Sequence, residues 1–340
     1  MSAEPGKQRV TDVRRAARLS VAPMMDWTDR HCRWFHRRLS RETLLYTEMV
    51  TAAALVRGGA HYLLDYDQDE HPVALQLGGS DPAMLAEATR IATTFGYDEI
   101  NLNVGCPSDR VQSGCFGAVL MRDPALVADC VKAMQGAAGD TPVTVKCRIG
   151  VDEQDPAQAL PAFLEAMIGA GVRQVTIHAR KAWLQGLNPK ENREIPPLDY
   201  PLVLAMKARF PELWIGLNGG VTSLEQAQDH LAEGVDGVMI GRAAYHQPWD
   251  ILAHADQRIY GADTPVVAPE EAVRAMLPYI EAERTKGTPL HHVTRHMLGV
   301  FAGRPGARAF RRVLSDHQRL KQGGPELLED ALAEVVPQAA

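Results

Sequence analysis

The sequence predicts an α/β protein: a (β/α)8 TIM barrel followed by a small all-helical C-terminal domain. Three observations carry that expectation. The chain has 340 residues, enough for a large barrel and an appendage. Eight short apolar runs alternate with helical stretches over about 230 residues, the count and length that a barrel needs. After about Asp256 the strand-like runs stop and helical periodicity takes over.

In chain order, a polar and basic tail at 1–19 comes first. The expected strands are Ser20–Met25, Leu44–Met49, Val73–Gly79, Glu99–Cys106, Val143–Gly150, Gln174–Arg180, Trp214–Gly220 and Gly237–Ala244. They are short and mostly apolar, as strands buried on both faces are. Asp81-Pro82 and Asp123-Pro124 each open a helix, with Asp as N-cap and Pro in the first turn. Ser223-Leu-Glu-Gln fits a capping box. Helices over Ala159–Ala170 and Leu224–Glu233 end at Gly171 and Gly234, where a left-handed residue is wanted. The barrel is expected over 20–256 and the helical domain over 257–340, with Gly261–Pro269 as a linker. Helices are expected there at Pro269–Lys286, His291–Ala302 and Ala307–Arg319. A doubly wound sheet is the alternative, but no G-x-G-x-x-G follows the first strand, so a Rossmann dinucleotide site has no support.

Composition narrows the class. Charged residues make up 23% and hydrophobic residues 46%, ordinary for a soluble globular protein. The net charge of −6 argues against a generic nucleic-acid binder, although a local basic patch still steers a polyanion. The cysteines are Cys32, Cys106, Cys115, Cys130 and Cys147. They are odd in number and lack a C-x-x-C pair, which argues against a disulfide framework or a zinc site and for a reducing cytoplasm. No run approaches the roughly 18 apolar residues of a membrane span.

Function in a barrel sits where strands end and βα-loops begin. Here those ends are unusually polar or glycine-rich: Asn103 to Cys106, Lys146 and Arg148, His178 and Arg180, Asn218-Gly219-Gly220, Gly241-Arg242. Unpaired polar groups in apolar strands cost stability, so their recurrence implies a ligand or a hydrogen-bond network. The glycines after strands seven and eight suit a phosphate approached by backbone N–H groups, with Arg242 adding charge-assisted bonds; a tight turn is the plainer reading of Gly219-Gly220. Lys146 reads as an amine on an electron-rich cofactor ring, a Schiff-base lysine, or a salt-bridged core lysine. His178 is either a site residue or a satisfied core histidine. Cys106, between Gly105 and Pro107 at a strand end, suits a nucleophile or an acid. Cys32 and Cys130 fall on apolar helix faces and Cys147 beside Lys146 in a strand, whereas Cys115 shares the Cys106 loop and stays ambiguous.

These residues fall in recognisable strings. SVAPMMDWTDRHCR, LLYTEMV, HPVALQLGGSDP, YDEINLNVGCPSDRVQ, VTVKCRIG, IHARKAWLQGLNPKENREIPPLDYP, NGGV, DGVMIGRAAY and TRHMLGVFAGRPGARAFRR resemble the tRNA-dihydrouridine synthases from about Ser20 to Leu320. The ARKAWL to PPLDY block resembles the A branch, whose members reduce uridines 20 and 20a of the tRNA D-loop. The resemblance implies FMN at the barrel mouth. Pro23, Met24 and Met25 would contact it, Gln76 and Lys146 would bond the ring, and His178 would line the ribityl-phosphate side. Asn218, Gly219, Gly220, Gly241 and Arg242 would cradle the phosphate.

It further implies that NADPH (NADH being possible) reduces the flavin, that hydride passes from flavin N5 to uracil C6, and that the Cys106 thiol protonates C5. Asn103 would hold the uracil edge, and the base would have to leave its stack. Lys190 and Arg193, with Arg308 and Arg311 of the GARxxRR helix, would orient tRNA. Between Arg284 and Lys321 nine Lys or Arg face one acid, Asp316, the asymmetry of an RNA-docking face; a solvated basic helix is the plainer reading. A monomer is expected, since two domains must wrap each tRNA. Cys115 and Cys147 depart from the pattern, and Cys115 raises the prospect of oxidation with Cys106. The rival reading is a flavin barrel acting on a free pyrimidine, which leaves the basic C-terminal segment unexplained. A non-catalytic RNA binder and a Schiff-base lyase are weaker rivals.

Overall fold

The computed structural model describes residues 12–108 and 116–335. Cys115, and with it any pairing to Cys106, lies outside the described residues, as does most of the 1–19 tail. Eight parallel strands close into a barrel in chain order: β1 Leu19–Val21, β2 Leu44–Thr51, β3 Val73–Gly78, β4 Glu99–Val104, β5 Val143–Arg148, β6 Gln174–His178, β7 Trp214–Asn218 and β8 Gly237–Ile240. Every expected run overlaps a strand, but seven stop short of their expected ends. β1 stops before Ala22–Met25 and β8 before Gly241–Ala244, because these segments turn out as βα-loops. Pro23 has no N–H for a ladder, and Gly241 caps the short helix Arg242–His246. β2 runs longer, to Thr51, past a register shift between Tyr46 and Met49.

The polar residues in the expected, mostly apolar strands prove to have an orderly place. All six residues of β4 are buried, yet successive side chains point to opposite faces. Ile100, Leu102 and Val104 join the apolar layer between strands and helices, each contributing about 1.5–3 kcal/mol by burial. Glu99, Asn101 and Asn103 take the inner face. Lower in the barrel, Leu44, Tyr46, Ala74 and Trp214 pack with Val13, Ala16 and Ala17. The barrel is therefore plugged by side chains at one end and polar towards the other.

The helix starts follow the Asp-Pro logic. The Asp81 carboxylate accepts from Met84 N–H at 3.0 Å and Asp123 from Leu126 N–H at 3.0 Å. A third such cap, Asp155-Pro156, starts helix Pro156–Gly169 three residues before the expected Ala159. At Ser223 half of the expected capping box forms. Ser223 Oγ accepts from Gln226 N–H, while the Gln226 side chain accepts from Thr222 N–H, one residue further back.

The residues from 261 to 268 are irregular, and helices follow, shorter than their periodicity suggested. The stretch from Pro269 divides into Pro269–Arg274 and Leu277–Thr285, because Pro278 has no N–H to give Arg274 and its ring crowds that carbonyl. Leu290–Thr294 passes into a 3-10 turn at Arg295–Met297. Ala307–Val313 stops before Asp316, whose carboxylate caps a new helix, His317–Gln322. The last helix is Leu327–Leu332.

These helices dock on helix Arg30–Leu39 of the barrel. Trp34 stacks on Tyr279 with centroids 4.4 Å apart, and His31 Nδ1 lies 2.7 Å from Tyr279 Oη. Arg30 pairs with Glu283. Asp29 receives Arg295 Nη2 at 2.5 Å and His296 Nε2 at 3.0 Å. The Asp256 carboxylate accepts from Ser40 Oγ at 2.6 Å and Arg41 N–H at 2.8 Å. Among the described residues, no helix is long and apolar enough to cross a membrane.

Candidate active site

Parallel strands in a closed barrel all open their carboxyl ends on one rim, so the polar strand ends are brought together by topology alone. At the end of β4, Asn103 Oδ1 accepts the backbone N–H of Gly105 at 3.0 Å and of Cys106 at 2.9 Å. That pins the loop and holds Cys106 half-buried, its Sγ 3.4 Å from Ser108 Oγ. Asn103 Nδ2 donates to Gln76 Oε1 on β3 at 2.8 Å, so three of the expected site residues form one bonded set. Gln76 Nε2 in turn donates to Asn101 Oδ1 at 2.9 Å.

Beside this set lies a cationic wall. Lys146 Nζ donates to Asn218 Oδ1 at 2.9 Å, and Asn218 Nδ2 to Met239 O at 2.8 Å. No carboxylate lies within ion-pair distance of Lys146 among the described residues, so the salt-bridged reading is set aside. Burial, assisted by the Arg148 charge, pushes the Lys146 amine down to about 8. Arg148 clamps three loops, bonding Gly105 O at 2.9 Å, Lys181 O at 2.9 Å and Asn192 O at 3.0 Å. Burial brings its guanidinium down to about 10, so it stays charged at neutral pH.

His178 is buried, and burial followed by the charges of Arg148 and Lys146 holds it well below its ordinary value. It is therefore neutral at pH 7, and its Nδ1 has no hydrogen-bond partner within the protein. A satisfied core histidine would have one.

The glycines shape the adjoining wall. At Gly220 (φ 76°) an added Cβ would meet Leu198 Cδ1 at 2.5 Å and Tyr200 Oη at 2.6 Å. At Gly219 (φ 111°) it would meet Leu198 and the His178 ring at 3.2–3.3 Å. Tyr200 Oη locks the turn by donating to Gly219 O at 2.7 Å. Gly241 faces the Met24 sulfur, 3.6 Å from where a Cβ would stand. Pro23 and Met24 are half-buried beside it, and Met25 is 55% exposed. Arg242 pairs with Glu194 at 2.5 Å, and the Arg180 Nε is buried without a partner. An orphaned imidazole nitrogen, an orphaned guanidinium N–H and a turn admitting no side chain fit a phosphate-bearing cofactor.

Lys190 and Arg193 are exposed on the loop around the short helix Glu191–Arg193. Arg193 lies near Cys106 and Arg242. Arg308 is exposed and Arg311 partly so on helix Ala307–Val313; among the described residues, no contact brings them to the mouth. The sequence pattern singled out Arg148 and Arg180 without giving them a role, and it missed Glu99 and Asn101. The period-two spacing Glu99, Asn101, Asn103 was the available signal.

Comparison with known proteins gives the family. Residues 20–336 match the family described as Dihydrouridine synthase (Dus). The chain belongs to that family. It is accordingly an enzyme, an oxidoreductase acting on a CH–CH bond. Among relatives, the tRNA-dihydrouridine(20/20a) synthase of Vibrio cholerae is 57% identical over 321 residues, covering 94% of this chain and 97% of the relative. That of Escherichia coli is 57% identical over 332 residues, covering 97% and 94%. An old yellow enzyme homologue from Zymomonas mobilis superposes with TM-score 0.51 at 12% identity, over 75% of this dihydrouridine synthase and 92% of that chain. At that identity the likeness is one of fold.

Proposed function

We propose that this dihydrouridine synthase reduces uridine in tRNA to 5,6-dihydrouridine at D-loop positions 20 and 20a, with FMN as bound cofactor and NADPH as reductant. The carrying observation is the bonded set Gln76–Asn103–Cys106 on the same barrel rim as Lys146, the strand neighbour of Asn103, and the orphaned His178. The names of relatives 57% identical over nearly the full chain support the tRNA substrate and the two positions.

The residues fit a flavin mononucleotide. Pro23, Met24 and Met25 would flank it, and Gln76 and Lys146 would bond its ring. His178, Asn218, Gly219, Gly220, Gly241, Arg242 and Arg180 would hold its ribityl-phosphate. When bound, this cofactor supplies the hydride for C6 of the uracil.

The chain does the rest. Cys106 gives its thiol proton to C5, and Asn103, fixed by three hydrogen bonds, orients the uracil edge and the Cys106 backbone together. Lys146 keeps a positive charge below about 8, which favours a reduced, anionic ring beside it. Lys190, Arg193, Arg308 and Arg311 would take tRNA phosphates, the helical segment 257–340 serving as the RNA-binding domain.

The test is an absorption spectrum of purified protein, followed by incubation with unmodified tRNA and NADPH and a dihydrouridine assay by position. Flavin bands and dihydrouridine at positions 20 and 20a support the reading. Flavin bands with reduction of free pyrimidine alone transfer the activity to that substrate. Protein that is colourless and cannot be reconstituted with FMN overturns the reading.

A further inference from the structure

Below the mouth, the hydrogen bonds that fix Asn103 continue as an unbroken one-way chain to the other end of the barrel. The Cys106 N–H donates to Asn103 Oδ1 at 2.9 Å, and Asn103 Nδ2 to Gln76 Oε1 at 2.8 Å. Gln76 Nε2 donates to Asn101 Oδ1 at 2.9 Å, and Asn101 Nδ2 to Thr144 Oγ1 at 2.8 Å. Thr144 Oγ1 donates to Glu99 Oε1 at 2.5 Å. Glu99 is fully buried and takes two further donors, Tyr46 Oη on the same oxygen and Gln174 Nε2 on Oε2 at 3.1 Å. No cation pairs with it among the described residues.

The two ends of this chain have opposite chemistry. A backbone N–H only donates; burial, opposed by the hydrogen bonds from Thr144, Tyr46 and Gln174, raises the Glu99 carboxyl to about 7, and above that pH its carboxylate only accepts. Each amide between them has one oxygen end and one NH2 end, so turning one over breaks bonds on both sides and forces its neighbours over too. Both ends demand the same sense.

We propose that Glu99 is a positioning residue for uridine reduction: its carboxylate anchors the chain that fixes which ends of Asn101, Gln76 and Asn103 face the substrate and the Cys106 loop. This rests on the function proposed above and adds to it a residue that touches neither substrate nor cofactor. A buried carboxylate without a cation is costly, and a purely structural role would be filled as well by an apolar side chain or a glutamine. An amide at 99 adds a donor where only an acceptor is wanted, which loosens the sense of the chain without opening a cavity.

The test is Glu99→Gln in the full-length enzyme. Wild-type reduction of uridine in tRNA is measured first; its absence refutes the function and leaves the exchange measurement to judge the chain. With that activity in hand, the two half-reactions are timed separately. Reduction of the bound flavin by NADPH is expected within about twofold of wild type. Uridine reduction by the pre-reduced variant is expected to fall about tenfold, or ~1.4 kcal/mol, with tRNA affinity unchanged. In an Asn103→Ala background the same substitution should cost nothing further, because the chain is already cut. Without any cofactor, hydrogen exchange at the Gly105 and Cys106 amides should quicken several-fold relative to the outward residues of β4. Equal losses in both half-reactions, additivity with Asn103→Ala, or unchanged exchange would each overturn the proposal. Should Glu99→Gln not fold, Thr144→Val cuts the chain one bond higher at constant shape and is held to the same split.

Discussion

Gly220→Ala tests the cofactor cradle through quantities the structure supplies. At φ 76° an alanine pays about 1–2 kcal/mol for left-handed backbone. Its methyl would also stand 2.5 Å from Leu198 Cδ1 and 2.6 Å from Tyr200 Oη. Relieving that overlap costs a further 1–3 kcal/mol or so. The total is about 2–5 kcal/mol. For a chain of 340 residues the unfolding entropy is about 0.7 kcal/mol per degree, so Tm should fall roughly 3–7 °C. The control is Gly139→Ala, where φ is 58° but nothing lies within 4 Å; only the backbone strain remains, about 1–3 °C. Displacing Tyr200 breaks its bond to Gly219 O and opens the turn. Gly220→Ala should therefore also purify with much less flavin than Gly139→Ala. Calorimetry and the flavin-to-protein absorbance ratio read both effects. A Gly220→Ala protein that melts with the control and carries full flavin would refute the reasoning.

Further outcomes follow from other residues. Cys106→Ala should keep the fold and flavin reduction by NADPH while uridine reduction drops about a hundredfold to ten-thousandfold, as loss of a general acid does; equal turnover by the variant would exclude the thiol as acid. The Lys146 amine is pushed down to about 8, below the ~10.4 of free lysine, so its charge is present at lower pH and lost as pH rises through 8. Flavin reduction by NADPH should decline across that range in wild type and be slow and flat in Lys146→Met; an identical profile in both would remove the lysine from the step. Burial raises the Asp29 carboxyl, but the hydrogen bond and charge of His296 outweigh it and hold the group well below the usual carboxylate range. Its stabilising effect is thus full above about pH 4 and lost as pH falls through the depressed value. Asp29→Asn should cost about 1–3 kcal/mol at pH 7 in urea titrations, and that gap should close in acid; a constant gap would show that charge is not involved. Arg308→Ala with Arg311→Ala should weaken tRNA binding and lower the slope of log K against log salt by about 0.7–0.9 for each phosphate no longer neutralised, whereas an unchanged slope would move the RNA interface elsewhere.

Much of the mouth was legible because it uses residue types that are anomalous where they stand. Lys146, His178 and Asn218 interrupt apolar strands, and Gly219-Gly220 closes one. The strand limits were less legible, since a run such as Ser20–Met25 reads as continuously apolar although the ladder ends at Val21. The long helical periodicity from Pro269 hid the break that Pro278 imposes. Glu99 was missed for a related reason: at the start of a strand it resembles an ordinary edge charge, and only closure of the barrel encloses it.

By itself, the sequence determined the eightfold alternation, the Asp-Pro and Ser helix starts, and the inventory of groups at each strand end, because these depend on neighbours a few residues apart. Only the tertiary structure decided which groups meet. Asn103 bonds Gln76 across 27 positions and Lys146 bonds Asn218 across 72. Those partners follow from register around a closed sheet, where a slip of one residue would turn every inward amide outward. The Glu99 chain is the extreme case, since its direction depends on an acceptor at one end and a backbone donor at the other.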